Sequence, residues 1–200
     1  MIFPFSLHMA SFNKIIVVTA PSGAGKTSIT KHLVKTFPQL AFSISVATRQ
    51  PRSYETNGVD YYFISAEDFE QKIQRKEFAE WEMVYEGKYY GTLKSELQRI
   101  WNNNQIPLLD IDVKGAIHMQ RQYPESLLTL FIEPPSIDEL KRRLESRGTE
   151  SAESLEARIN KASYELSFKN HFDKSIVNDF FERACKEAED IVREFLKSNP

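Results

Sequence analysis

The run Ile15-Ile16-Val17-Val18-Thr19-Ala20-Pro21-Ser22-Gly23-Ala24-Gly25-Lys26-Thr27-Ser28 constrains this chain more than any other stretch. Four β-branched apolar residues predict a buried strand. A glycine-containing loop follows, then Ile29, Leu33, Val34 and Phe37 at helical spacing. Strand, loop and helix in this order are the setting that a phosphate-binding loop requires. Such a loop turns its backbone N–H groups inward as a nest for anionic oxygens, and the helix N-terminus adds its dipole. Gly23 and Gly25 supply the needed dihedrals and keep Cβ atoms away from the phosphates. Residues Ala20, Pro21, Ser22, Gly23, Ala24, Gly25, Lys26, Thr27 and Ser28 are therefore expected to hold a nucleotide's phosphates. Within them, Lys26 is placed for the β- and γ-phosphates and the Thr27 hydroxyl for Mg²⁺. Ala20 stands where the pattern has glycine, which a negative φ at that position accommodates. The bland alternative is an ordinary glycine turn. The Lys-Thr pair between strand and helix weighs against it.

Two hundred residues suit one domain, and 41% hydrophobic with 27% charged residues is a globular composition. The formal net charge of −2 provides no basic field, so no nucleic-acid partner is expected. Cys185 is the sole cysteine, which fits a reducing, cytoplasmic setting. The opening Met1–Leu7 is apolar but lacks the basic start of a signal peptide. No apolar run approaches the roughly 18 residues of a membrane span, so no membrane partner is expected. Residues 1–13 read as an N-terminal extension, with Met9 an alternative start.

Further along, Phe42–Val46 alternates apolar and polar residues and predicts a strand. Arg49 and Arg52 flank Pro51, and two guanidiniums in a proline-fixed loop can converge on one anion. Asn57-Gly58 signals a turn before a predicted strand over Val59–Ile64. Ser65 caps a helix that carries Phe69 and Ile73, and Glu80–Val84 and Gly87–Thr92 predict a turn-linked strand pair. Residues 45–92 thus form a mostly β insertion. Helical spacing returns over Leu93–Trp101. Ile106–Asp112 is an apolar strand ending in acids, of the kind that sets a carboxylate beside a phosphate-binding loop. A short helix over Ala116–Arg121 and a strand over Ser126–Ile132 follow. Ser136 starts a charged helix that stops near Gly148, and a second charged helix covers Glu153–Phe168. This pair is poor in large apolar residues and reads as a mobile hairpin over the site. A strand over Ser175–Asn178 and a helix over Phe180–Leu196 close the chain.

Several of these pieces together resemble the guanylate kinase family. They are Ala-Pro-Ser-Gly-Ala-Gly-Lys-Thr, Thr48-Arg49-Gln50-Pro51-Arg52, Asn57-Gly58-Val59-Asp60-Tyr61, Tyr89-Tyr90-Gly91-Thr92, Leu109-Asp110-Ile111-Asp112, Pro134-Pro135-Ser136, Arg147-Gly148-Thr149 and Ile176-Val177-Asn178-Asp179. They run in order from about Lys14 to the last helix. The resemblance implies an α/β fold: a P-loop NTPase-type parallel sheet core with helices on both faces, a small mixed β GMP-binding lobe and a helical lid. In residues, it implies a core at 14–44, 93–135 and 170–200, a lobe at 45–92 and a lid at 136–169. It also implies transfer of the ATP γ-phosphoryl group to GMP, with dGMP a further acceptor. By the same resemblance, Arg49, Arg52, Tyr61 and Tyr90 (rather than Tyr89) hold the GMP phosphate, and Ser45, Glu80, Thr92 and Asp112 read the guanine. Arg143, Arg147 and Arg158 join Lys26 and Arg49 in charge neutralisation, Asn178 lies with ATP, and Asp110 reaches Mg²⁺ through water.

The chain departs from the family's usual pattern at Lys114, at the longer Tyr85–Lys88 turn, and at Val46 and Ala47, where relatives often carry hydroxyls. The base assignment has a chemical reason: a carboxylate can accept from guanine N1–H and the 2-amino group together, and adenine lacks that edge. Two other readings compete, a non-catalytic peptide-binding module built on the same domain and a kinase for another nucleotide. The presence of Lys26 and the lid arginines opposes the first, and Glu80 with Ser45 and Thr92 opposes the second.

Overall fold

The computed structural model describes residues 14–146 and 152–198. The predicted first strand is β1 (Ile15–Thr19), and all five of its residues are buried. Its side chains alternate between two cores. Ile16 and Val18 face helices α1 (Lys26–Thr36) and α7 (Phe181–Lys197), through Ile29, Leu33, Ala188 and Val192. Ile15 and Val17 face α3 (Lys94–Asn102) and α4 (Val113–Gln122), through Leu97, Ala116 and Met119. Burial on both faces is why the strand reads as unbroken apolar sequence.

Five parallel strands make the main sheet, in the order β2 (Leu40–Phe42), β7 (Ile106–Asp110), β1, β8 (Leu127–Glu133), β9 (Lys174–Val177). From β1 the chain runs to one side for β2 and β7, then crosses to the other for β8 and β9. The crevice at the carboxyl ends of β1 and β7 is the switch point where such sheets take ligands. The loop Ala20–Gly25 opens there.

A second sheet holds β4 (Tyr62–Phe63), β3 (Val46–Ala47), β6 (Lys88–Leu93) and β5 (Phe78–Tyr85), in that order. Its pairings are mixed: β3 is parallel to β4 and antiparallel to β6. Helix α2 (Ala66–Gln74) packs Phe69 onto Phe78 with ring centroids 4.3 Å apart, which gives this sheet its own small core. The expected Ser65 cap is present, its hydroxyl accepting from Asp68 N–H at 3.0 Å.

Two expectations change. The alternation over Phe42–Val46 is not one strand, because the chain leaves the first sheet after Phe42 and enters the second at Val46. Ser43 N–H still reaches Leu108 C=O at 2.9 Å, while Ile44 N–H is taken by the buried Glu96 of α3 at 3.0 Å. The strand expected over Val59–Ile64 shrinks to Tyr62–Phe63. A turn takes its first backbone donors: Val59 N–H and Asp60 N–H both fold back onto Thr56 C=O, at 3.1 and 3.0 Å, and Asp60 Oδ2 accepts from Thr56 N–H at 2.7 Å.

The charged helices are α5 (Ile137–Glu145) and α6 (Ala152–Leu166). Though poor in large apolar residues, they share a small seam of Leu140, Leu144 and Ala162, all buried, with Leu155 and Ile159 alongside. Leu140 and Leu144 also lie 3.1 Å from where a Cβ on Gly23 would sit, so α5 rests directly on the loop. Arg147, the Gly148 stop and the N-terminal extension lie outside the described residues.

Candidate active site

Gly23 and Gly25 take φ of +93° and +99°, a region L side chains avoid. A Cβ on Gly25 would sit 2.2 Å from Asn178 Nδ2, so that position is closed to side chains twice over. Asn178 is buried, and its amide donates to Ala24 C=O at 2.7 Å. It braces the loop from β9. Ala20 has no left-handed φ, which is the condition its methyl group needed. Gly25 caps α1 without a side chain, and the first-turn residues Lys26, Thr27 and Ser28 line the crevice.

Lys26 and Thr27 meet Asp110 at the end of β7. The Lys26 ammonium pairs with Asp110 Oδ1 and donates to Ile111 C=O at 3.0 Å, and Thr27 Oγ1 donates to Asp110 Oδ2 at 3.0 Å. Desolvation depresses the Lys26 pKa, but the adjoining Asp110 outweighs it, so the pKa is raised and the charge is secure. One hydroxyl and one carboxylate, 3.0 Å apart beside a phosphate nest, are hard oxygen donors. They fit Mg²⁺, which takes few protein ligands and completes its shell with water and substrate phosphate.

Across the same cleft stands the second sheet, with Ser45, Arg49, Arg52, Tyr61, Glu80 and Tyr90 on its lining alongside Lys26, Asp110 and Asp112. Arg49 is fixed on several sides. Its Nε–H donates to the Tyr90 hydroxyl at 3.1 Å, and its guanidinium lies 5.0 Å from the Tyr61 ring centre and 5.4 Å from that of Phe63. Burial and then the Asp110 carboxylate raise the Tyr61 pKa, so its phenol remains a donor. Tyr89 turns away into the small core against Phe69, which leaves Tyr90 as the tyrosine of the cleft. Arg52 is more open, its side chain 57% exposed.

Glu80 is 5% exposed, and its Oε1 accepts from the buried Thr92 hydroxyl at 2.6 Å. Burial, with the Asp112 and Glu82 carboxylates adding to it, pushes its pKa up to about 8 despite the Thr92 bond. Asp112 Oδ1 caps α4 by accepting from Gly115 N–H at 2.8 Å. A Cβ on Gly115 would lie 2.5 Å from Glu80 Oε2, so the missing side chain makes room for the carboxylate.

The two described lid arginines, Arg143 and Arg158, are not gathered here. Arg143 donates to Glu139 at 2.8 Å and to Asn178 C=O at 3.0 Å, and neither it nor Arg158 lines the cleft. The α6 residues that do line it are Lys161 and Glu165, neither of which was expected there. Lys161 donates to Val84 C=O of β5 at 3.2 Å, which links α6 to the second sheet. Glu165 is buried, and desolvation raises its pKa against the pull of Lys161.

Sequence reasoning also missed Glu55, whose buried carboxylate accepts from both terminal nitrogens of Arg49, each at 2.6 Å. The repeat of charge at every third residue, Arg49, Arg52, Glu55, was the available signal.

A family model described as guanylate kinase matches residues 12–195. A guanylate kinase of Bacteroides fragilis is 46% identical, the match covering 94% of this chain and 93% of that protein. One of Salinibacter ruber is 45% identical, over 92% of this chain and 97% of that protein. Among solved structures, guanylate kinase from Anaplasma phagocytophilum superposes with a TM-score of 0.74 at 29% identity, over 92% of this chain and 87% of that one.

Proposed function

The chain belongs to the guanylate kinase family, and we infer from that membership and from the cleft that it transfers the γ-phosphoryl group of ATP to GMP, giving ADP and GDP. The observation that carries the reading is the facing of two sites across one cleft. A phosphate nest with Lys26 lies on one wall, and a buried Glu80 with Arg49 lies on the other.

The reaction forms a bond between an oxygen of the GMP phosphate and the γ-phosphorus and breaks the bond to the β–γ bridging oxygen. The acceptor is already an oxyanion, so the site needs no strong base. Its work is alignment and charge neutralisation. In our reading the Ala20–Ser28 loop and Lys26 hold the donor phosphates, while Arg49, Arg52, Tyr61 and Tyr90 hold the acceptor phosphate. Ser45, Glu80, Thr92 and Asp112 receive the guanine. Thr27, and Asp110 through water, would hold Mg²⁺, which neutralises the β- and γ-oxygens when bound. Asn178 supports the ATP side by bracing the loop. The lobe at 45–92 and the lid at 136–169 then move against the core, and closure brings Arg143, Arg147 and Arg158 over the phosphates and excludes water. dGMP is a further acceptor, because no group assigned here depends on the 2′-hydroxyl.

Among the described residues no helix is long and apolar enough to cross a membrane. A free, buried Cys185 and nucleotide substrates fit a cytoplasmic enzyme. A non-catalytic peptide-binding module is not favoured, since Lys26, Thr27 and Asp110 keep the full donor-side arrangement. The test is a coupled assay of ADP release with GMP, dGMP, AMP, UMP and CMP as acceptors. Turnover is expected with GMP and dGMP, and equal turnover with AMP would overturn the guanine reading.

A further inference from the structure

Glu55 touches neither proposed substrate site directly, yet it is the most heavily bonded carboxylate of the acceptor lobe. Its side chain is only 5% exposed. Besides the two Arg49 bonds, it accepts from Arg52 N–H at 2.8 Å and lies 3.9 Å from Arg52 Nη1. The bonds from Arg49, and to a lesser degree that from Arg52 N–H, hold its carboxyl below the usual carboxylate range, so it stays charged.

A guanidinium has five N–H groups on a rigid plane. Glu55 occupies the end edge formed by Nη1 and Nη2, and Gln50 C=O takes the remaining Nη1–H at 3.0 Å. The other edge, the second Nη2–H beside Nε–H, is turned to the cleft wall, where Nε–H donates to the Tyr90 hydroxyl at 3.1 Å. That edge is the one that can grip a phosphate through two parallel bonds. The carboxylate also subtracts a charge from the cradle, so a site needing only attraction for an anion would do better without it.

We infer that Glu55 is a positioning residue for the acceptor phosphate, holding Arg49 so that its Nε–Nη2 edge faces the cleft and tying the Arg52 backbone to the same point. This rests on the reading of Arg49 and Arg52 as acceptor-phosphate residues. Orientation and net charge predict opposite signs when the acid is neutralised. If orientation rules, Glu55→Gln raises KM for GMP about tenfold, the loss expected for a charge-assisted contact, and leaves KM for ATP and kcat unchanged. In an Arg49→Ala background the same substitution adds only the smaller part that runs through Arg52, because the side chain it chiefly orients is gone.

A KM for GMP that stays the same or falls in Glu55→Gln overturns the inference, as does a full additional rise in the Arg49→Ala background. Should Glu55→Gln fail to fold, judged by thermal melting, Glu55→Asp carries the test. It keeps the charge but cannot reach both Arg49 nitrogens, and an unchanged KM there is equally fatal. Arg49→Ala alone separates the levels: a normal KM for GMP in that variant brings down the acceptor-phosphate reading itself, and this inference with it.

Discussion

In the proposed reading, the donor loop meets an anion with backbone N–H groups and the acceptor lobe meets one with guanidiniums and phenols. In the loop, geometry is set by two left-handed glycines and the Asn178 brace, with one cation, Lys26, added. In the lobe every donor is a flexible side chain that needs other side chains to hold it, as Glu55 and Tyr90 hold Arg49. A backbone site is general for phosphate, because it offers dipoles at a fixed curvature. A side-chain site can be specific, because each member adds a shape and a charge that a wrong ligand leaves unpaired.

The largest effect should come from the one side chain the donor loop depends on. Lys26→Ala should fold normally and lose on the order of 10²–10³ in kcat or more, as removal of a fixed charge from a developing anion does. Near-normal turnover in the folded variant would mean that the loop is not a catalytic phosphate site.

Glu80→Gln tests the specific side. It replaces one acceptor with a donor facing guanine's own donors, and should cut kcat/KM for GMP by about a hundredfold with ATP affinity unchanged, since a hydrogen-bonding site left unpaired discriminates strongly. Calorimetry with each nucleotide alone separates the two. A variant that still prefers GMP over AMP with ordinary efficiency would move base recognition elsewhere.

Arg49→Ala should raise KM for GMP by roughly ten- to a hundredfold, equivalent to about 1.5–3 kcal/mol for a bond to a charged group. The effect of Arg52→Ala should be smaller, because that side chain is 57% exposed and screened by water. Equal losses of ATP and GMP affinity would break the division into two sites. Tyr90→Phe removes one neutral donor and should cost GMP binding about 0.5–1.5 kcal/mol.

The last effect is on stability rather than activity. Glu80 has a folded pKa near 8, above its value in the unfolded chain, so the folded state binds the extra proton between those two values. Stability contributed by the neutral acid is therefore lost as pH rises through this window. Glu80→Gln cannot ionise, so its melting temperature should gain on that of the parent protein as pH is raised from 5 to 8. A constant difference across that range would contradict the buried, raised carboxyl. In the proposed reading the carboxylate that would accept from guanine is the form that lowers the stability of the free protein.

The donor loop was legible in sequence because its strand, glycines, Lys26 and Thr27 are contiguous, and backbone geometry is a local property. Arg49 and Arg52 were legible as a pair able to converge on one anion, but Tyr61, Tyr90 and Glu80 only through resemblance to a family, since nothing local says that they share a wall. Glu55, Lys161 and Glu165 escaped notice because an acid or a lysine in a charged stretch looks solvated until folding buries it. The break at Ser43–Ser45 was hidden for a related reason. Alternation of apolar and polar residues marks extended chain, and extended chain can pass from one sheet to another without changing its pattern.

The strand order carries a consequence for how the protein is made. β1 lies at the centre of the main sheet, yet its neighbours β7 and β8 are encoded far downstream, beyond the entire β3–β6 lobe. On the ribosome β1 emerges early and apolar on both faces, with nothing yet to pair against. The β5–β6 hairpin, whose pairing is local, can form while β1 is still waiting. Distant parallel pairing is slow and leaves sticky intermediates exposed. Docking of β7 beside β1 is the first pairing the central strand can make. The same event carries Asp110 to Lys26, so that contact precedes β8, β9 and the Asn178 brace on the loop.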